Sequence, residues 1–306
     1  MNLEQIVKNN LPNSQKGRVA NYIPALGKVA PKQLGIVVYD LKKNNIEQAG
    51  DSRVRFAIES ISKVITFLYA VNQLGMEYVT QHVGARQTGF PFNSILNLEI
   101  EGDHHPLNPF VNAGAIAVTS LVKATNSMQP FEQIIRFTRD ICHDPQITLS
   151  TEISESEERT GDMDRSLAYY LKAKGMLKAN VPLSLKTYFK QCSMMVTAAD
   201  LANLGAVLAN NGIKPWDNER LISSEAATYT KSLMMTTGLY NESGKYSAII
   251  GVPTKSGVGG GLMTAVPNKY GIGIFSPPLD KSGNSIAGLS ALNELSQKLK
   301  VDIFRY

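Results

Sequence analysis

The chain has 306 residues, of which 43% are hydrophobic and 19% charged, and this composition is typical of a globular protein with a large buried core. The formal net charge is +5, but the basic residues are scattered rather than clustered or interleaved with aromatic residues, which argues against nucleic acid as the main ligand. No stretch approaches the roughly 20 apolar residues that span a bilayer, and the N-terminus lacks a secretory apolar segment, so we expect no membrane contact.

The two cysteines, Cys142 and Cys192, are too few and too far apart to predict a disulfide framework or a zinc site. A reduced, cytoplasmic protein is therefore the simplest expectation. The four histidines show no metal-ligand spacing, because His104 and His105 are adjacent and their side chains point apart. The sequence thus predicts no metal site.

The first predicted elements are a helix, a loop and a β-hairpin. The helix covers residues 3–9 and is amphipathic, and the loop covers 17–26 and carries Tyr22. The hairpin has strands over 34–39 and 46–49, separated by a polar turn.

A hydroxyl and an amine stand three residues apart at the start of the next predicted helix, in the sequence Ser60-Ile61-Ser62-Lys63. Residues at this spacing share a helix face, so Ser60 and Lys63 can point into one site. A lysine activates a serine when burial lowers the pKa of the amine enough for it to accept a proton. The pair matches the S-x-x-K arrangement of serine acyl-transfer enzymes, and Gly75 is the predicted end of this helix.

The S-x-x-K pattern also occurs at Ser120 and Lys123, so the pattern alone is weakly specific. Ser120 falls late in an apolar run that predicts a helix interior. Ser60 stands at a helix start, where N–H groups and positive potential favour a developing negative charge. The ordinary alternative for Ser60 is an N-cap serine beside a solvated lysine.

The middle of the chain, from about residue 70 to 225, is mainly helical in its periodicity, with candidate helices over 76–83, 110–124, 130–142, 164–175, 184–192, 197–211 and 223–236. Between Gly84 and Pro109 lies a long, poorly periodic segment, and loops of this length are uncommon unless they are functional. Asn112 and Glu157 are candidates to recognise a ligand carboxylate and a ligand ammonium. Their ordinary roles would be helix capping and solvation.

The C-terminal part predicts a return to strands, over 246–252, 261–266 and 270–275, followed by an amphipathic helix over 286–299. With the N-terminal hairpin, these strands predict one antiparallel sheet flanked by helices, and hence an α/β fold with an inserted all-helical domain. The predicted domains are a sheet domain over 1–69 and 226–306 and a helical domain over 70–225, with the active site at their junction.

A glycine-rich stretch begins with Lys255-Ser256-Gly257 and continues through Val258 to three more glycines. It does not fit a phosphate-binding loop, because no glycine precedes Lys255 and no helix follows. It resembles the Lys-Thr-Gly element of S-x-x-K enzymes and offers a backbone N–H to an oxyanion. The alternative is an ordinary glycine-rich turn.

Taken together, these stretches resemble the glutaminase family, the serine-dependent L-glutamine amidohydrolases of β-lactamase/transpeptidase-like fold. The resemblance runs in order through nearly the entire chain. Its most specific segments are Val-Ala-Asn-Tyr-Ile-Pro-Ala-Leu at 19–26, Glu-Ser-Ile-Ser-Lys-Val at 59–64, Pro-Phe-Asn-Ser at 91–94, Asn-Pro-Phe-Val-Asn-Ala-Gly-Ala at 108–115, Ser-Glu at 156–157 and Lys-Ser-Gly-Val-Gly-Gly-Gly at 255–261.

The resemblance implies hydrolysis of L-glutamine to L-glutamate and ammonia through a γ-glutamyl-serine intermediate, without a metal or an organic cofactor. It implies that Ser60 is the nucleophile, with Lys63 and Tyr240 as its proton partners. The implied substrate-binding residues are Tyr22, Ser60, Asn112, Glu157, Asp164, Tyr188, Tyr240 and Val258, with the N–H groups of Ser60 and Val258 as the oxyanion hole. Family members form dimers and tetramers, so a homodimer or homotetramer is expected.

One position departs from the family pattern, because Asp164 stands where the family usually has asparagine. A second carboxylate is tolerated near a substrate ammonium but repels a substrate carboxylate.

Two other functions remain open at this point. A penicillin-interacting enzyme is disfavoured, because neither a Ser-Asp-Asn nor a Tyr-x-Asn element is found. The other is a non-catalytic glutamine or glutamate sensor, which Asp164 alone favours. For Tyr188 and Tyr240, the alternative to a role in the site is packing in the core.

Overall fold

The computed structural model describes residues 1–99, 104–125 and 128–305. The helices in these ranges are α1 (Leu3–Asn10), α2 (Ser62–Leu74), α3 (Met76–Thr80), α4 (Leu96–Glu99), α5 (Asn112–Leu121), α6 (Pro130–Ile141), α7 (Thr151–Thr160), α8 (Asp162–Ala173), α9 (Val181–Cys192), α10 (Ala198–Ala209), α11 (Ser224–Thr237), α12 (Ser243–Ile249) and α13 (Ile286–Leu299). The strands are β1 (Gly35–Asp40), β2 (Asn45–Gly50), β3 (Phe56–Ala57), β4 (Thr148–Leu149), β5 (Met194–Val196), β6 (Thr254–Ser256), β7 (Gly261–Val266) and β8 (Tyr270–Phe275).

Five strands form one antiparallel sheet in the order β2-β1-β8-β7-β6. β1 pairs with β2 from Gly35 opposite Gly50 to Asp40 opposite Asn45, and on its other side it pairs with β8, where Gly35 lies opposite Phe275. The N-terminal hairpin and the C-terminal strands therefore share one sheet. The predicted α/β fold class, an antiparallel sheet flanked by helices, is confirmed.

Both faces of the sheet are covered, as the side chains of β1 show. Ile36 and Val38 belong to an apolar core shared with α1 and α13, whereas Val37 and Tyr39 belong to a second core shared with α2 and α10. Successive side chains of a strand point to opposite faces, so a strand buried along its whole length needs a layer on each side. All six residues of β1 are buried.

Glycine in β8 lets helix α10 lie directly on the sheet. A Cβ atom at Gly273 would stand 1.8 Å from the carbonyl oxygen of Ala198, so only glycine permits this approach of the two backbones. α10 falls within 70–225, the range that the sequence assigned to a helical domain. The division into that range and a sheet domain over 1–69 and 226–306 stays a prediction.

A second, three-stranded antiparallel sheet, which the sequence did not predict, joins distant parts of the chain in the order β3-β5-β4. Phe56 pairs with Val196, and Thr148 pairs with Met195. β3 leads into the turn that carries Ser60, β4 leads into α7, and β5 follows α9. This small sheet therefore holds one end of α7 and one end of α9 beside the serine.

The predicted strand over 246–252 is wrong, because this segment begins within helix α12. The hydroxyl of Ser243 accepts the N–H of Leu239 at 2.9 Å, and the helix stops before Gly251, whose φ is +66°. A short apolar run with β-branched residues fits a helix or a strand equally well by periodicity. The strand that pairs with β7 is instead the shorter β6.

Two further segments differ from their sequence-based descriptions. Helix α7 occupies a polar stretch in which the sequence predicts no helix, and the hydroxyl of Ser150 caps it by accepting the N–H of Ile153. The long segment between Gly84 and Pro109 contains the short helix α4, and its residues 100–103 lie outside the described residues. Within the described ranges, every helix is too short or too polar to cross a bilayer.

Candidate active site

Ser60 lies in a 3₁₀ turn, Glu59–Ile61, that runs directly into helix α2. The residue before it, Glu59, has a φ of +50°, a left-handed conformation that is uncommon for a residue with a side chain. Ser60 is 8% exposed, and helix α2 ends at Gly75 with a φ of +86°. The predicted start and end of the serine helix are therefore both observed.

The glycine-rich stretch forms a tight turn between β6 and β7 and lies against the serine turn. The N–H of Gly257 donates to the carbonyl oxygen of Gly261 at 3.0 Å. A Cβ atom at Gly259 would stand 2.1 Å from the carbonyl oxygen of Ala57, so glycine is needed for the two backbones to meet. This contact places Val258 beside Ser60, and both line one cavity.

Lys63 occupies the first turn of α2 and is 1% exposed. Its Nζ donates to Asn112 Oδ1 at 2.6 Å and to the carbonyl oxygen of Phe110 at 3.2 Å. Burial lowers the pKa of this amine from its ordinary value, against the opposing effect of nearby acidic groups. Burial therefore makes the neutral form of the amine, which is able to accept a proton, more accessible than it is for a solvated lysine.

Tyr240 approaches Ser60 from a 3₁₀ turn, Tyr240–Glu242, that precedes α12. The Tyr240 hydroxyl lies close to Ser60 and donates to the carbonyl oxygen of Ser256 at 3.5 Å, and burial raises the pKa of the Tyr240 phenol. The backbone of Tyr240 has a φ of +53°, in the left-handed region. Buried Asn284 supports this turn by donating to the carbonyl oxygen of Leu239 at 3.2 Å and accepting the hydroxyl of Ser256 at 2.7 Å.

A second buried amine, Lys255, lies on β6 beside Tyr240. Its Nζ donates to the carbonyl oxygen of Ser256 at 2.6 Å and lies 4.8 Å from the centre of the Tyr240 ring. Burial, reinforced by the charge of Lys63, lowers the pKa of Lys255 well below its ordinary value. The sequence singled out the Lys-Ser-Gly element without assigning this amine a role.

A cavity of about 150 Å³ opens onto Ser60 and Val258. It is lined by sequence-predicted residues from six different parts of the chain, namely Tyr22, Ser60, Asn112, Glu157, Asp164, Tyr188 and Val258. Two further predicted residues adjoin it, because Lys63 donates a hydrogen bond to Asn112 and Tyr240 lies close to Ser60. The structure therefore brings the residues named from the sequence to one place.

Carboxyl groups dominate one side of the cavity. Burial raises the pKa of Glu157, on α7, to about 7, and the neighbouring Asp164 also raises it. Burial likewise raises the pKa of Asp164, although the Asn112 amide opposes this by donating to Asp164 Oδ1 at 2.7 Å. Asn112 thus bridges Lys63 and Asp164, which fixes the orientation of its amide.

Sequence reasoning missed several residues that line the cavity, namely Ile23, Glu59, Phe92, Asn93, Thr160, Gly161, Met163 and Cys192. A signal for Cys192 was available, since it lies four residues after Tyr188 on α9 and therefore on the same face of that helix. Phe92 falls in the long segment flagged as functional by its length, and its carbonyl oxygen accepts the N–H of Asn112 at 2.9 Å. Glu59 is turned toward the cavity by its left-handed backbone conformation, which no pattern in the sequence predicts.

Among the described residues, His, Cys, Asp and Glu side chains form no group of three or more that would hold a metal ion. The cavity lining instead combines a hydroxyl, tyrosines and carboxyl groups, and the buried amine of Lys63 lies behind Asn112. A hydroxyl with an adjacent proton acceptor suits nucleophilic attack on a carbonyl carbon. The carboxyl groups suit a ligand that carries a positive charge.

Comparison with known proteins gives a consistent picture. The Glutaminase family model matches residues 17–304. Glutaminase 1 of Clostridium perfringens (strain 13 / Type A) is 55% identical over 305 residues, which cover 100% of this chain and 99% of that protein. The glutaminase of Clostridium botulinum (strain Hall / ATCC 3502 / NCTC 13319 / Type A) is 43% identical over 302 residues, covering 99% of each.

Solved structures agree with the sequence relatives. The probable glutaminase ybaS superposes with a TM-score of 0.93 at 38% identity, covering 99% of this chain and 98% of that one. The Bacillus subtilis glutaminase YbgJ, in a covalent complex with 5-oxo-L-norleucine formed by reaction with 6-diazo-5-oxo-L-norleucine, gives a TM-score of 0.89 at 37% identity, with the same coverage. The family model matches nearly the entire chain, and the relatives are similar to it over almost their full length. The protein therefore belongs to the glutaminase family.

Proposed function

We propose that this protein hydrolyses L-glutamine to L-glutamate and ammonia through a γ-glutamyl ester on Ser60. One observation carries the proposal: Ser60 lines the cavity and lies one helical turn from the buried amine of Lys63, with the buried Tyr240 phenol close by. A serine with an adjacent proton acceptor is the arrangement that acyl transfer requires.

In the first step, Ser60 Oγ attacks the γ-carbonyl carbon of glutamine while Lys63, with Tyr240, takes the hydroxyl proton. The new C–O bond forms, the C–N bond breaks, and the same proton passes to the leaving nitrogen, which departs as ammonia. A water molecule then attacks the ester and releases glutamate and the free hydroxyl. The lowered pKa of Lys63 supports its role as acceptor, because a protonated amine has no lone pair to offer.

The oxyanion that develops on the γ-carbonyl is assigned to the N–H groups of Ser60 and Val258. The close contact of Gly259 with Ala57 supports this assignment, since it brings the two backbones together. Losing one such donor costs on the order of 10²–10³ in kcat. In this scheme neither a metal nor an organic cofactor takes part, so we expect EDTA to leave ammonia release unchanged.

The two charged ends of the substrate are assigned to opposite sets of side chains. Glu157 and Asp164, with Tyr22 beside them, face the α-ammonium, because carboxylates stabilise a cation in a buried site. The amide of Asn112 and the hydroxyl of Tyr188 are assigned to the α-carboxylate, as hydrogen-bond donors. This arrangement requires a substrate with both groups in addition to a terminal amide.

A relative supports covalent chemistry in this family. The YbgJ complex with 5-oxo-L-norleucine is covalent, which implies a nucleophile in that protein. We assign the corresponding role here to Ser60. Reaction of this protein with 6-diazo-5-oxo-L-norleucine, followed by peptide mapping, should place the adduct on Ser60.

The proposed function is tested by measuring ammonia and glutamate released from L-glutamine, with L-asparagine, D-glutamine and nitrocefin as competing substrates. We expect turnover of L-glutamine with or without EDTA and no hydrolysis of nitrocefin. Hydrolysis of nitrocefin without glutamine turnover would establish a penicillin-interacting enzyme instead. Tight glutamine binding without ammonia release would establish a sensor.

Asp164→Asn should move the acid limb of the kcat/KM profile to lower pH. Asp164 raises the pKa of Glu157, and it also raises that of Lys63. Removing its charge lowers both values, so Glu157 ionises and Lys63 becomes neutral at lower pH. We expect a downward shift of about 0.5–1 pH unit with little change in kcat on the plateau.

The matched control for Asp164→Asn is Asp162→Asn, which removes a carboxylate from the exposed start of the same helix. This variant should leave the profile unmoved. If Asp164→Asn also leaves the profile and KM unmoved, Asp164 takes no part in binding, and its role is that of an acid in the first turn of α8.

Two expectations from the sequence stay predictions. A homodimer or homotetramer is expected, and a light-scattering mass near 33.4 kDa would contradict it. A cytoplasmic location agrees with the two buried, unpaired cysteines, Cys142 and Cys192, and cell fractionation would check it.

A further inference from the structure

Glu59, the residue before Ser60, carries a carboxyl group in an unusual position. It is 3% exposed, and it lines the same cavity as the buried carboxyl group of Glu157. Within the described part of the chain, its buried Oε1 atom receives no hydrogen bond from an N–H or hydroxyl donor. Two buried carboxyl groups that line one small cavity repel each other when both are ionised, which favours a proton on one of them.

We propose that Glu59 is a substrate-binding residue: it shares one proton with Glu157 in the free enzyme, and the α-ammonium of the substrate replaces that proton on binding. This inference rests on the proposed function and identifies the substrate class more closely, as an amide with a free, protonated α-amino group. Before binding, the pair carries one negative charge. After binding, two carboxylates and one ammonium again sum to one negative charge, and the displaced proton goes to solvent.

Charge conservation is the physical reason for the exchange. Two carboxylates buried side by side repel each other strongly, so one of them stays protonated until a cation arrives. Burial and the charge of Glu157 raise the pKa of Glu59 well above its ordinary value. The other titratable groups that act on Glu59 or feel its charge are Lys63, Asp164, Tyr22, Tyr188, Cys192 and Tyr240. Lys63 alone among these favours the ionised form of Glu59.

Calorimetry measures the displaced proton directly. Ser60→Ala would be titrated with L-glutamine in phosphate and in Tris, about one pH unit above the Glu157 pKa of about 7, where Glu157 is mostly ionised and the proton at stake is that of Glu59. The difference in heat between the buffers gives the protons released. We expect release of about one proton per glutamine, and much less in Ser60→Ala/Glu59→Gln, because an amide holds no exchangeable carboxyl proton.

A kinetic measurement tests the same inference with an intact nucleophile. Glu59→Gln should raise KM for L-glutamine by about tenfold or more, with a smaller change in kcat, because it removes a charge-assisted hydrogen bond to the ammonium. Its acid limb should also become shallower, since one fewer proton is displaced. Relative to L-glutamine, turnover of glutaramate, which lacks the α-amino group, should improve. The control, Glu158→Gln, alters the adjacent exposed carboxylate on α7 and should change none of these.

Two results would overturn the role of Glu59. One is an unchanged KM and pH profile in Glu59→Gln, and the other is glutamine binding to Ser60→Ala without any proton release. Failure of the proposed function itself is separate, since it would appear as a wild-type protein that releases no ammonia from glutamine.

Discussion

Ser60→Ala should abolish ammonia release from L-glutamine, lowering kcat by a factor on the order of 10⁴ or more, because no other step substitutes for the covalent ester. Ser60 lines the cavity, and the Tyr240 phenol lies close to it. Removing the serine hydroxyl leaves the backbone N–H groups of Ser60 and Val258 in place. We therefore expect the variant to bind glutamine while failing to hydrolyse it, as ammonia assays and calorimetry would measure.

The chain supplies a matched control in its second S-x-x-K sequence. The hydroxyl of Ser120 lies in α5 and donates to the carbonyl oxygen of Ala117 at 2.6 Å, within the helix. Ser120→Ala should therefore keep wild-type activity. A Ser60→Ala protein that retained most of its ammonia release would refute the serine mechanism, and so would an inhibitor adduct found on Cys192. Burial raises the pKa of the Cys192 thiol well above its ordinary value, which disfavours the reactive thiolate.

Much of the fold could be predicted because its largest elements carry clear periodicity. In the hairpin of β1 and β2, apolar residues either alternate with polar ones or form a continuous run, and turn residues bound the strands. Helix α2 repeats its apolar positions at helical spacing up to Gly75. The small sheet of β3, β4 and β5 gave no such signal, since two or three residues do not define a period. The segment at 246–252 was misassigned because the same apolar residues suit a helix that Gly251 ends.

The candidate site could be named from motifs, but its electrostatics could not. Ser60 and Lys63 were named from their spacing, yet the bridge from Lys63 through Asn112 to Asp164 depends on helices far apart in sequence. The proximity of Glu59 and Glu157 likewise depends on a left-handed turn and on the pairing of β3 with β5, two strands far apart in sequence. Such contacts are tertiary, and residue spacing does not encode them.

Lys63→Ala should lower kcat by a factor on the order of 10²–10⁴, because it removes the group assigned to take the proton from Ser60. Lys63 Nζ is buried, and its contacts with Asn112 Oδ1 and the carbonyl oxygen of Phe110 fix its position. The loss should appear mainly in kcat, since the amine acts on the reacting hydroxyl rather than on the charged ends of the substrate. Steady-state kinetics would separate the two parameters.

The decisive measurement for Lys63 is rescue by small primary amines. Truncation to alanine leaves space where the butylamine chain was packed, and ethylamine added to Lys63→Ala should restore part of kcat in proportion to its free-base concentration. Lys63→Arg should remain inactive, because a guanidinium stays protonated and accepts no proton. Lys123→Ala, at the exposed lysine of the second S-x-x-K sequence, should behave as wild type. Activity in Lys63→Arg would instead mean that residue 63 supplies only a positive charge, and Tyr240 would then be the proton acceptor.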